Sequence, residues 1–190
     1  PDDAALQTQL ALGRLRTGQT DEAIQTLEGI VDKDPTAVRA TSALLAAHIR
    51  NRDYDKALAE VAELRKRTPD APLPDYYEGA VQVAKRDLAA GRQAFEAALK
   101  KDPKFHAARF ALARVNVAEG NRDKAMMEIA KVLEADPKNQ RAVIDMAELQ
   151  ASSGKLDDAI ATLDKARRAD QNAVNVRLKL VDAYLQKKEG

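Results

Sequence analysis

The chain has 190 residues, 45% hydrophobic and 32% charged, with only 8 Gly and 7 Pro, which excludes collagen-like and low-complexity classes and supports a folded core. Its 37 Ala against 7 aromatic residues favour helices with small core residues over an all-β fold. Lys plus Arg number 31 and Asp plus Glu 30, a net charge of +1 that offers little attraction for a nucleic-acid backbone, and the absence of Cys removes disulfides, thiolate metal sites and cysteine nucleophiles.

Pro35, Pro69, Pro103 and Pro137 stand 34 residues apart and divide the chain into repeats 4–37, 38–71, 72–105, 106–139 and 140–173, with a partial sixth at 174–190. Within each repeat the apolar residues fall at helical spacing in two blocks around a polar turn, so each is expected to be a helical hairpin. The first repeat turns at Gly18 and opens its second helix with Asp21, an acidic residue favoured at the positive end of the helix dipole. The second places Arg52 at the turn and Asp55 after it; an unchanged backbone there would strain the arginine by about 1–2 kcal/mol. The third departs most: Pro72 and Pro74 delay its first helix, Glu78 replaces an apolar residue, Arg86 takes the turn, and Gly91 interrupts the second helix at a cost of about 1 kcal/mol. This departure is expected to mark either a closely approached helix pair or a loose joint. The fourth and fifth turn at Gly120 and Gly154, followed by Asp123 and Asp157. Asp-Pro pairs at 34/35, 102/103 and 136/137 suit a cap followed by a first helical turn. The half repeat at the end, with Leu178, Leu180, Val181, Tyr184 and Leu185, either caps the stack or exposes an apolar edge able to drive self-association.

Two further positions keep register. Twenty residues into each repeat stand Ala23, Ala57, Gly91, Ala125 and Ala159, and four later Leu27, Val61, Phe95, Ile129 and Leu163, a small-then-large alternation suited to close helix packing. Ala11, Gly79, Ala113 and Ala147 occupy the eighth position, where Leu45 and Val181 are exceptions. A 34-residue hairpin with small residues at positions 8 and 20 and Pro at 32 resembles the tetratricopeptide repeat family over essentially the whole chain. The aromatic positions are degraded: there is no Trp, and position 11 holds Arg14, His48, Gln82, Asn116 and Gln150. The running text of residues 76–121 and the closing RLKLVDAYLQKKEG are similar to the long tetratricopeptide lipoproteins that accompany bacterial exosortase (PEP-CTERM sorting) and exopolysaccharide systems.

The general resemblance implies an all-α, right-handed α-solenoid in which each hairpin buries its apolar face against its neighbours. It also implies that positions 2, 5, 6, 9, 12 and 13 of each first helix face a concave groove. Those positions name Leu12, Arg16, Arg39, Ile49 and Arg50 in the first two repeats, and Tyr76, Tyr77 and Val83 in the third. In the fourth they name Phe110, Arg114 and Val117, and in the fifth Arg141, Ile144, Asp145 and Glu148. Tyr76, Tyr77 and Phe110 with neighbouring arginines have the make-up of an interface hot spot, although packing between helices is an equal claim on Tyr77. The positions of the family's carboxylate clamp hold residues such as Thr8, Leu12, Ala43, Leu73 and Tyr77, so chaperone-tail recognition is not implied.

Nothing in the sequence assembles a catalytic or metal site. His48 and His106 lie in different repeats without a partner at ligand spacing, and no glycine-rich phosphate loop occurs. The expected function is therefore a non-enzymatic scaffold, without cofactor or metal, that binds a protein or peptide segment. The alternative is direct polysaccharide binding by stacking on the aromatic cluster; RNA is disfavoured by the near-neutral charge. The uncharged stretch Ala40 to Ile49 is about half the length that spans a bilayer. The closer resemblance implies a lipid-anchored parent protein facing the periplasm of a bacterial envelope, of which this chain is a part, and leaves a cytoplasmic setting open.

Overall fold

The computed structural model describes residues 3–34 and 37–189, and these form eleven α-helices in two compact units that divide between Lys101 and Asp102. The N-terminal unit contains α1 (Ala4–Thr17), α2 (Thr20–Lys33), α3 (Val38–Asn51), α4 (Tyr54–Arg67), α5 (Leu73–Ala84) and α6 (Leu88–Lys101). The C-terminal unit contains α7 (His106–Ala118), α8 (Arg122–Ala135), α9 (Gln140–Ser152), α10 (Leu156–Ala169) and α11 (Val174–Glu189). No described residue is in a strand, and no helix is long and apolar enough to cross a membrane.

The hairpins close by one repeated device. Gly18, Arg52, Arg86, Gly120 and Gly154 all hold a left-handed backbone, with φ between 64° and 86°. The next residue's amide then donates back to the carbonyl five residues earlier, at 2.8–3.0 Å, onto Arg14, His48, Gln82, Asn116 and Gln150 respectively. These bonds satisfy carbonyls that the end of a helix would leave unpaired. The turn is thus independent of whether glycine occupies it, and the two arginines carry the left-handed strain that the sequence suggests.

The small-then-large alternation is the core. Ala23, Ala57, Gly91, Ala125 and Ala159 are buried on the second helix of each hairpin, and Leu27, Val61, Phe95, Ile129 and Leu163, one turn further on, are buried with them. Burial of each such side chain contributes about 1.5–3 kcal/mol. The same pattern extends to α11, which buries Val176, Leu180 and Ala183 against the helices before it and leaves Val174, Leu178, Val181, Tyr184 and Leu185 exposed.

The third repeat is tight. A Cβ added to Gly79 would stand 2.5 Å from a Phe95 ring carbon and 3.0 Å from the Gly91 carbonyl oxygen, and one added to Gly91 would stand 2.6 Å from Val83 Cγ2. The paired glycines therefore let α5 and α6 approach backbone to backbone, with Phe95 laid over Gly79. Pro72 and Pro74 delay α5 by a single residue, because Pro74 falls in its first turn, where a missing amide hydrogen is harmless. Glu78 has a partner of its own: Arg65 on α4 reaches its carboxylate at 2.6 Å and that of Asp75 at 2.9 Å, while Lys101 on α6 reaches Asp75 at 2.7 Å. Burial alone would raise the Asp75 carboxyl, but hydrogen bonds from Lys101 and Arg65 hold it below the usual carboxylate range. Lys101 also donates to the carbonyl of Pro69, so the staple fixes the proline-rich link between α4 and α5.

The Asp-Pro pairs do not cap the helices that follow. Asp136 ends α8, and α7 and α9 begin three residues beyond Pro103 and Pro137. Asp102 and Asp136 instead accept from the amides of Lys104 and Lys138 at 2.9 and 3.2 Å, closing a turn through the side chain. The cap of α9 is Asn139, which accepts from Ala142 at 3.0 Å. Asp34 ends α2, and Pro35 lies outside the described residues.

Candidate functional site

In the N-terminal unit the residues singled out from the repeat register divide by burial. Tyr77 is 7% exposed and sits among Leu45, Ala57, Val61, Leu64 and Val81, with its hydroxyl bonded to Ser42 of the preceding repeat. It is a core residue, which decides for packing between the two roles open to it and removes it from the groove set. Burial raises its phenol above the usual value, a shift that the Ser42 bond partly opposes. Tyr76 is half-buried, with its ring centroid 5.5 Å from that of Tyr77 and 5.8 Å from that of Phe95. Leu12, Ile49 and Val83 are half-buried, whereas Arg16, Arg39 and Arg50 are exposed. Arg50 donates to the carbonyl of Leu15 at 3.0 Å and so ties the second repeat to the first.

The C-terminal unit assembles a cleft. Phe110, Arg114 and Val117 project from α7, and Arg141, Asp145 and Glu148 from α9, because residues three and four apart share one face of a helix. Together with Ala113, Ala118, Ile129, Leu149 and Ser152 they enclose about 590 Å³. Ile129 and Ala113 close the floor and Val117, 43% exposed, stands at the mouth. The register implies a Phe110 open to a ligand. It is 6% exposed instead, packed with Ala113, Ala125, Ile129, Val132 and Ala142, and the guanidinium of Arg141 from the next repeat lies 4.0 Å from its ring centroid, a favourable cation–aromatic contact. Ala118 and Ser152 are additions to the expected set, although both stand at position 13 of their repeats and the register rule finds them. Ile129 belongs to a second helix, which that rule does not reach.

Both charge signs line the walls. Arg141 stands 3.6 Å from Asp145 one turn along α9, and Glu148 pairs with Lys179 of α11 at 2.6 Å. Burial raises the Asp145 carboxyl, with Glu148 adding to the shift and Arg141 and Arg114 opposing it. The Glu148 hydrogen bond raises the Lys179 ammonium in turn. Ile144, Glu148, Lys179 and Asp182, with Ala159 and Leu163 of α10, line a smaller cavity of about 140 Å³ between α9 and α11. Among the described residues no group of three His, Asp or Glu side chains converges as metal ligands do. His48 is buried on α3 and His106 opens α7.

Sequence profiles of the tetratricopeptide repeat match residues 14–77 and 117–177, and a second profile of the same repeat matches 78–140. No curated protein is significantly similar to the chain. Among solved structures it resembles a thermophilic tetratricopeptide repeat protein of Thermus thermophilus, at 21% identity over 96% of this chain and 100% of the other, with a TM-score of 0.70. It also resembles yeast Tom70, at 15% identity over 98% of this chain and 41% of the other, with a TM-score of 0.73. YrrB, described as having an unusual peptide-binding site, aligns at 19% identity over 98% of this chain and 92% of its own, with a TM-score of 0.55. These likenesses concern the fold.

Proposed function

We propose that this chain, which belongs to the tetratricopeptide repeat family, is a non-enzymatic scaffold that binds a peptide or protein segment in the cleft between α7 and α9. The observation that carries the reading is the cleft itself: about 590 Å³, with an apolar floor and charged walls, is the size and make-up of a ligand site rather than a packing defect. The repeats supply the rest, since stacked hairpins present successive first helices as one continuous binding face. YrrB offers a precedent of the same fold associated with peptide binding. Direct polysaccharide binding has less support, because Tyr77 and Phe110 are buried and offer no open ring face to a sugar.

The setting we propose is the bacterial envelope, in protein sorting or exopolysaccharide export, with the parent chain lipid-anchored. It rests on the similarity of residues 76–121 and 177–190 to the lipoproteins of those systems. A secretion signal followed by a lipid-attachment cysteine upstream of residue 1 in the gene is the expected finding, and a parent chain lacking both removes this setting.

The groove reading is tested by photo-crosslinking in the native cell from a probe at Val117, with Met127 on the outer side of α8 as control. Both residues are exposed, at 43% and 60%. Discrete adducts at Val117 and not at Met127 are expected. Equal labelling at the two positions would remove the cleft as the binding surface.

A further inference from the structure

The charges around the cleft are unevenly paired. Arg141 is held against Phe110 and shared with Asp145, and Glu148 is taken by Lys179. Arg114 is exposed on the opposite wall, where its charge acts on Asp145 across the cleft but makes no hydrogen bond or salt bridge among the described residues. A guanidinium beside an apolar cavity is a ready partner for a carboxylate, which it binds through paired, charge-assisted hydrogen bonds. The α9 wall sets the complementary restriction, because Asp145 and Glu148 repel an anion there. A polyanion such as a phosphorylated or nucleic-acid backbone would have to run past Asp145 on the α9 wall, whereas a single carboxylate on the α7 side can pair with Arg114.

Resting on the reading of this cleft as a peptide groove, we infer that its ligand is a segment carrying a large apolar side chain close in sequence to an aspartate or glutamate. The apolar group fills the floor over Ile129 and Leu149, and the acid pairs with Arg114. The floor supplies most of the affinity, and the arginine fixes direction and register, since charged contacts at an exposed rim govern specificity more than affinity.

Selection of a random dodecapeptide display library on the whole 190-residue chain tests the inference. Enriched peptides are expected to pair Leu, Ile, Phe, Met or Trp with a nearby Asp or Glu. In fluorescence anisotropy, Arg114→Glu should weaken the best of them by about tenfold or more, and changing the peptide's acid to Lys should restore binding to that variant. Arg114→Gln repeats the test should the charge reversal alter the melting curve. Val117→Lys, which fills the mouth, should abolish binding of either peptide. Peptides lost with Val117→Lys that show neither an acidic preference nor a response at Arg114 would overturn the carboxylate inference and leave the groove reading standing. If no enriched peptide depends on Val117, the groove reading falls and the inference with it. Self-association removed by Val117→Lys, read by sedimentation, would assign the cleft to a second copy of the chain and overturn the inference.

Discussion

At Arg52 and Arg86 the backbone holds φ of 64° and 69°, a conformation that costs an ordinary L-residue about 1–2 kcal/mol. Glycine relieves the strain but gains freedom in the unfolded chain, so Arg52→Gly should stabilise by about 0.5–1 kcal/mol, seen as a higher urea midpoint at unchanged slope. His48 gives a second residue-scale prediction. It is 1% exposed and its Nδ1 lies 4.0 Å from the Asp53 carboxylate. Burial lowers its imidazole, with Lys56 assisting and Glu28 and Asp53 opposing. The unfolded chain therefore takes up a proton below the ordinary histidine value of about 6.5 that the folded chain refuses, and stability falls as pH drops through that value. The stability difference between wild type and His48→Gln should consequently shift against wild type from about pH 7 to 5; a difference independent of pH would show that His48 titrates alike in both states. Neither effect depends on the register alone: the repeat places Arg52 at a turn and His48 at position 11, but the burial of His48 is decided by neighbouring helices.

At the scale of the elements, the period read from four prolines locates the ends of the second helices at Lys33, Arg67, Lys101, Ala135 and Ala169, again 34 residues apart. What it leaves open is the third repeat, where glycine at two packing positions is compatible with looseness or with close approach. The contacts decide for close approach, since Phe95 occupies the space a Gly79 side chain would need. Gly79→Ala should therefore lower stability by about 1–3 kcal/mol despite the better helix propensity of alanine. Amide exchange in α5 and α6 should be no faster than in α3 and α4; faster exchange would restore the loose joint. The Asp-Pro reading fails for a related reason. A dipeptide rule sees a cap and a first turn, whereas the aspartate is already engaged with the amide two residues on, and the helix waits for the next capping position.

For the molecule as a whole, the hairpin architecture is legible because it repeats, and the burial of single aromatics is not, because the neighbouring repeat decides it. Arg141 covers Phe110 and Ser42 receives Tyr77, each pair formed across a repeat boundary. What remains open in the C-terminal unit is the cleft with Val117 at its mouth and Arg114 on its wall. We propose that a peptide binds in this cleft. Amide chemical-shift mapping on the whole chain, titrated with the best display-selected peptide, tests it directly. Saturable shifts concentrated on Arg114, Val117, Ala118, Ile129, Leu149 and Ser152 are expected; shifts concentrated on the exposed side of α8 around Met127, on α10, or in the N-terminal unit would remove the cleft as the binding site.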